Sequence, residues 1–154
     1  MNLRVGLGFD NHLLKSKKNN VIKISGIEVS CDYSVIAKSD GDVVFHSLSD
    51  ALLGALGLGD IGIYFKTNDP KNNNLDSIYI LEECLALMKK YKYEIINVDL
   101  NIFSEHIEIN QIRNLCVEKL QSILKIKNVN IKAKHYERSI NEIACQSIVL
   151  LKKK

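Results

Sequence analysis

The sequence predicts an α+β fold, a two-layer sandwich in which one mixed β-sheet packs against helices, formed by a single domain over residues 1–154. Three observations predict it. Apolar segments of strand period and helix period interleave along the chain. Two of the strand segments flank Ser25-Gly26, a hairpin signal, so the sheet is not purely parallel. A length of 154 residues suits one domain with a substantial core.

Leu3 to Gly8 reads as a short strand, and Lys15 to Asn20 as a polar, mobile loop. Val21 to Ile24 and Ile27 to Val29 alternate on either side of the hairpin turn. Ser39-Asp40-Gly41-Asp42 supplies helix N-cap chemistry ahead of Val43. The apolar set Val44, Leu48, Ala51, Leu52 and Ala55 then keeps a helical period, and Gly57 and Gly59 favour a stop. Asp69-Pro70 and the run from Lys71 to Asn74 predict a loop, because proline restricts the residue before it and asparagine is turn-prone. A second helix is expected over Asp76–Lys90, a strand over Glu94–Phe103 and a third helix over Gln111–Leu124. Val129–Ala133 and Ile143–Leu151 complete the set as strands.

Composition excludes several classes. The net charge of +3 is mild, and part of it sits in Lys152, Lys153 and Lys154, which read as a solvated end rather than a nucleic-acid contact. No apolar run approaches the roughly 20 residues that a membrane span needs. Cys31, Cys84, Cys116 and Cys145 are scattered without C-x-x-C pairing, which points to reduced thiols rather than disulfides or a thiolate metal site. The first strand begins almost at Met1 and leaves no room for a targeting segment, so a cytoplasmic protein is expected, with no nucleic-acid or membrane partner.

Chemistry concentrates in Asp10, His12 and His46. In Gly8-Phe9-Asp10-Asn11-His12, the i, i+2 spacing sends the Asp10 and His12 side chains to one side of an extended backbone. His46 is expected on the inward side of the first helix. Three N/O ligands from two rigid elements, with one position left open, is how a catalytic zinc site is built. For any one of these histidines, a satisfied core residue is the competing reading. Asp50 follows His46 by one helical turn, where a carboxylate can orient the imidazole, or can be merely a polar helix residue. The stretch Gly57-Leu58-Gly59-Asp60-Ile61-Gly62 matches neither a P-loop nor a dinucleotide fingerprint. It reads either as a helix cap and turn, or as a loop whose backbone N–H groups meet an anion, with Asp60 aimed at a hydroxyl or ordered water.

Taken together, G-F-D-N-H, the block from Ser39 to Gly62, N-D-P, V-N-I-K-A and E-I-A-C closely resemble the 2-C-methyl-D-erythritol 2,4-cyclodiphosphate synthase family of the non-mevalonate isoprenoid pathway. The matching segments span nearly the whole chain in the same order. The resemblance implies a zinc ion held by Asp10, His12 and His46. It also implies a second divalent cation, Mg2+ or Mn2+, contacting Glu137. The implied substrate is a small molecule, 4-diphosphocytidyl-2-C-methyl-D-erythritol 2-phosphate, whose 2-phosphate attacks the β-phosphorus and expels CMP. Asp10, His12, Lys38, Ser39, Asp60, Gly62, Phe65, Asp69, Lys134, His135 and Glu137 fall at the family's substrate-contacting positions. A homotrimer is implied too, with active sites between subunits and the nucleotide pocket drawn largely from the neighbour.

The chain departs from the family pattern at several of these places. The usual His-Ser before Asp-Gly-Asp is Lys38-Ser39, and the usual Thr-Thr-Thr-Glu is Lys134-His135-Tyr136-Glu137. Lys38 and His135 thereby occupy the positions of two groups that stabilise the phosphoryl transition state, and both can donate hydrogen bonds. Phe-Pro-Asp-Thr-Asp becomes Phe65-Lys66-Thr67-Asn68-Asp69. The loop that cradles cytosine is shortened to Glu105-His106-Ile107-Glu108, and a Gly-Phe-Thr-Gly-Arg-Gly segment before E-I-A-C is absent. An active cyclase is the leading expectation. The rewritten stretches motivate two others, a homologue that keeps zinc structurally without turnover and a phosphoesterase acting on a smaller ester.

Overall fold

In the computed structural model, which describes residues 2–66, 70 and 75–154, five strands form one mixed sheet in the order β2-β1-β5-β3-β4. The strands are β1 (Leu3–Ile24), β2 (Ile27–Val35), β3 (Tyr93–Ser104), β4 (Val129–Lys134) and β5 (Glu142–Lys153). The helices are α1 (Val43–Leu56), α2 (Ile61–Tyr64), α3 (Ser77–Lys90) and α4 (Ile109–Leu124). Only β3 and β4 run parallel, and α4 connects them; every other pairing is antiparallel. The expected α+β class with a mixed sheet against helices is what forms.

One expectation fails clearly. Lys15 to Asn20 is not a loop but the middle of a 22-residue β1. The first half of β1, Leu3 to Leu13, pairs with β5, and its second half, from Leu14, pairs with β2. The polar stretch therefore has a partner strand for its backbone groups, which local composition does not reveal. Its irregularity survives as a register shift between Ser16 and Asn20, with Asn19 at φ 52°. β2 likewise runs on to Val35, beyond the expected Val29. α2 was not anticipated as a helix.

The central helix α1 is buried along nearly its whole length, and its approach to β1 is set by glycine. Gly6 and Gly8 lie on the same side of β1, facing α1. A Cβ on Gly8 would stand 1.8 Å from the Ser47 carbonyl oxygen, and one on Gly6 1.8 Å from that of Ala51. Two residues of strand advance about 6.7 Å and four of helix about 6 Å, so the contacts keep step. Asp10 follows on the same face of β1, and its carboxylate meets the His46 ring from α1.

Both ends of α1 are secured from a distance. The Asp42 carboxylate, fully buried, accepts from Val44 N and Phe45 N at the helix start, and from Ser25 N and Gly26 N in the β1–β2 turn. Ser25 and Gly26 both hold positive φ, so the hairpin turn presents its two N–H groups together to this one acceptor. At the other end, Gly57 adopts the left-handed conformation at φ 72°, and Arg4 Nη1 donates to the Leu56 carbonyl at 3.0 Å. Asp42→Ala leaves those N–H donors without their acceptor. It is expected to lower unfolding free energy by about 2–4 kcal/mol in urea titrations; a loss below about 0.5 kcal/mol would contradict this role.

Among the described residues the helices pack on one face of the sheet. On the other, Val5, Leu7, Phe9 and Leu13 of β1 and Ile148 of β5 form an exposed apolar band, with Val5 66% and Leu7 59% exposed. All four cysteines are free. Among the described residues no helix is long and apolar enough to cross a membrane.

Candidate metal centre

Asp10 and His12 project from the helix-facing side of β1, and His46 meets them from the first turns of α1. His46 Nδ1 lies 3.0 Å from Asp10 Oδ2. His12 Nε2 lies 3.0 Å from the same oxygen and 3.3 Å from His46 Nδ1. Donors bound about 2.0–2.1 Å from a tetrahedral ion stand about 3.3 Å apart, so this donor set fits a zinc ion in both spacing and chemistry. Among the described residues these three form the group that could hold a metal ion.

The charges are mutually adapted. Burial works to raise the Asp10 carboxyl, but hydrogen bonds and charge from His12 and His46 outweigh it and bring the group to about 2. Burial likewise opposes a charged His46, yet the Asp10 hydrogen bond and the Asp10, Asp42 and Asp40 charges raise its pKa above the ordinary 6.5. In the metal-free chain the His46 contribution stabilises the fold below pH 6.5 and is lost as pH rises through the raised value. The Asp10 contribution is present above the ordinary carboxylate value of 3.8 and is lost only as pH falls towards about 2. Protons and metal compete for His46 Nδ1. Zinc affinity is therefore expected to keep rising as pH passes 6.5 and to level off above the raised His46 value. Competition titrations from about pH 6 to about pH 8.5 read this directly; an affinity already flat at the low end would contradict it.

These three side chains line a cavity of about 580 Å³ together with Ile36, Ala37, Lys38 and Ser39 before α1, with Ile61, Gly62 and Phe65, and with Leu75 and Ile80. Lys38, Ser39, Gly62 and Phe65, expected at substrate-contacting positions, share this cavity with Asp10, His12 and His46. Asp60 is not on its wall; it caps α2, its Oδ1 accepting from Ile63 N at 3.2 Å. Lys134, the last residue of β4, and His135 and Glu137 just after it are exposed and do not line this cavity. Asp69 lies outside the described residues.

Asp50 takes a different partner from the one anticipated. Its Oδ1 accepts from Ile61 N at 2.8 Å, tying α1 to the start of α2, and burial holds its pKa above the usual value despite that bond. The group that meets His46 Nε2 is Ser77 Oγ at 2.9 Å, with Ser39 Oγ at 3.3 Å. Ser77 was missed because nothing near it in sequence carries a ligand pattern; it is the first residue of α3, brought in by packing.

The shortened loop after β3 is firmly held. Ser104 Oγ accepts from His106 N and Ile107 N, while the His106 ring stacks on Tyr33 at 4.4 Å and meets Asn141 Oδ1 at 2.8 Å. Glu105 accepts from Tyr136 N, and Tyr136 Oη donates to Glu142 Oε1 at 2.7 Å. The loop and the turn that follows β4 are therefore bound to one another.

The YgbB family profile matches residues 3–152. A protein of Mycoplasmoides gallisepticum (strain R(low / passage 15 / clone 2)) named 2-C-methyl-D-erythritol 2,4-cyclodiphosphate synthase is 51% identical over 151 residues, covering 98% of this chain and 97% of its own. A solved structure of a synthase of that name superposes with a TM-score of 0.89 at 28% identity, over 97% of this chain and 100% of the other. The CDP complex of Plasmodium falciparum IspF gives 0.85 at 30% identity, over 99% and 97%. The profile match over residues 3–152 and relatives that cover nearly the whole chain agree: the chain belongs to the YgbB family, among relatives named 2-C-methyl-D-erythritol 2,4-cyclodiphosphate synthase.

Proposed function

We propose that this chain converts 4-diphosphocytidyl-2-C-methyl-D-erythritol 2-phosphate to 2-C-methyl-D-erythritol 2,4-cyclodiphosphate and CMP. The observation that carries this reading is the convergence of Asp10, His12 and His46 at the base of a cavity whose wall includes Lys38 and Ser39. The new P–O bond joins a 2-phosphate oxygen to the β-phosphorus. The bond from the β-phosphorus to the bridging oxygen breaks, and that oxygen leaves on CMP with the electron pair.

Such a transfer requires no protein nucleophile, only alignment of attacking and leaving oxygens and neutralisation of charge. A zinc ion held by Asp10, His12 and His46 would supply Lewis-acid polarisation of a phosphoryl oxygen. The Lys38 ammonium and Ser39 hydroxyl give donors for non-bridging phosphate oxygens. Ile36, Ala37, Ile61, Phe65, Leu75 and Ile80 make an apolar enclosure for the methylerythritol carbons and limit access of water, which would compete as nucleophile. The resemblance puts Asp60 and Asp69 at substrate-contacting positions, and Asp60 itself caps α2 off the wall of this cavity.

The nucleotide half is assigned to a neighbouring subunit in a homotrimer. Two features support this. Lys134, His135 and Glu137 are exposed and do not line the cavity, and Lys134 aligns across the sheet through Phe103 and Ala144 with Asn11, between Asp10 and His12. The uncovered band of Val5, Leu7, Phe9, Leu13 and Ile148 is a surface that a second copy can bury. Glu137 is the assigned protein contact of a second cation, Mg2+ or Mn2+, on the diphosphate. The CDP-bound P. falciparum relative supports a cytidine nucleotide ligand.

The test is a product assay with 31P NMR on the cytidine-diphospho substrate. CMP and the cyclic diphosphate should appear together, cease with EDTA and return with zinc plus magnesium. Zinc-loaded protein that releases no CMP at high concentration would instead establish the non-catalytic homologue. The tight match of donor spacing and the phosphate donors on the same cavity favour the enzyme.

A further inference from the structure

His46 has two ring nitrogens, and only Nδ1 faces Asp10 and His12. A metal ligand of this kind works only if the other nitrogen keeps its proton, because a neutral imidazole carries one N–H and one lone pair. What holds that proton in place is a separate question from what binds the ion, and Asp50, the obvious carboxylate by sequence, is occupied with Ile61 N.

Ser77 Oγ lies 2.9 Å from His46 Nε2 and forms a short hydrogen bond to Asp40 Oδ1. Ser77 is fully buried. A carboxylate only accepts, so the single Ser77 hydroxyl proton points to Asp40 and its lone pair is left to accept from Nε2–H. Ser39 Oγ, at 3.3 Å, is farther and already accepts from Gly41 N at 3.1 Å. Asp40 is in turn kept in place: its Oδ1 also accepts from Ser77 N at 3.2 Å and Asp42 N at 3.4 Å. Its Oδ2, buried without a hydrogen bond, has the Lys23 ammonium 3.4 Å away, and Lys23 is shared with Asp76 at 2.9 Å.

We propose that Ser77 and Asp40 are positioning residues of the metal centre, acting in series: His46 Nε2–H donates to Ser77, Ser77 donates to Asp40, and this one-way chain aims the Nδ1 lone pair at the ion. The proposal rests on the metal reading of Asp10, His12 and His46. A purely structural role, in which Asp40 only caps the start of α3, would leave the metal untouched once the chain is folded.

The test measures zinc affinity by competition with a chelating dye in Ser77→Ala, Asp40→Ala and the double variant, alongside thermal unfolding of the metal-free proteins. Removing such outer partners costs about 10–100-fold in metal affinity. That loss is expected in each single variant, with the double variant no worse than either single, since one chain is broken once. Metal-free Ser77→Ala should melt within a few degrees of the parent, which keeps the affinity loss distinct from unfolding. In 15N-labelled, zinc-loaded parent protein, long-range 1H–15N spectra should show the His46 proton on Nε2. Affinities within about threefold of the parent, additive losses in the double variant or a proton on Nδ1 would each overturn the relay. A parent chain that takes up no zinc, or whose uptake survives His12→Ala, overturns the metal reading and the relay with it. Loss in His12→Ala with none in Ser77→Ala or Asp40→Ala removes the relay alone.

Discussion

His46→Ala is expected to yield a folded chain that holds no zinc and releases CMP at a rate lower by on the order of 10³-fold, since several kcal/mol of transition-state charge stabilisation disappear. The imidazole is buried, and removing it leaves Asp10 and His12, two donors where tetrahedral protein sites use three or four. Folding should tolerate the change. α1 keeps its N-cap on Asp42, its glycine stop and its apolar contacts, and the imidazole contributes little to the core. Metal analysis, 31P turnover and a melting curve on one preparation check all three parts. Unchanged zinc content or turnover would reject the assigned site, whereas an unfolded variant would show that His46 carries structure as well.

Gly8→Ala is the second change of large expected effect, and it touches no ligand. The new methyl would sit 1.8 Å from the Ser47 carbonyl oxygen and 2.7 Å from Ala51 N. Both are backbone atoms of a buried helix, so no side chain can swing aside. α1 must move away from β1 or the strand must buckle, at a cost of about 1–3 kcal/mol or more by analogy with overpacked cores. His46 rides on α1 while Asp10 and His12 ride on β1, so the same movement pulls the donor set apart. Zinc affinity is expected to fall by more than about tenfold, as it does when ligand orientation is disturbed. Gly6→Ala provides the comparison: its clash with the Ala51 carbonyl is as close, but it lies two residues farther from Asp10. It should cost similar stability with a smaller loss of zinc. Equal zinc affinity in Gly8→Ala and the parent would show that strand–helix spacing does not set the site.

Some of this was legible from local pattern. Asp10 and His12 share a side because strand geometry has period two, and His46 falls inward because helix geometry has period 3.6. Gly57 stops α1 where the sequence suggested, since the left-handed cap is a local property. α3, β3, α4, β4 and β5 differ from expectation by one or two residues at their ends, the usual scatter of hydrogen-bonded boundaries. The stretch Lys15–Asn20 could not be read in this way. Its strand conformation exists because β2 supplies hydrogen-bond partners, a non-local condition. No local pattern accounts for Gly6 and Gly8 in β1; the helix lying on them does.

The sequence by itself determined the class of fold, the three side chains that come together as a candidate metal site and the family to which the chain belongs. Each of these follows from residue types at fixed spacings within one element or from motifs in order. Only the tertiary structure decided what surrounds the ligands. Asp50 went to the backbone of Ile61 and Ser77 came to His46 from the start of another helix, while Asp42 gathered the hairpin turn onto α1. A buried polar atom takes whichever partner the packed elements bring within about 3 Å. That choice depends on distances between segments remote in sequence, which no local pattern encodes.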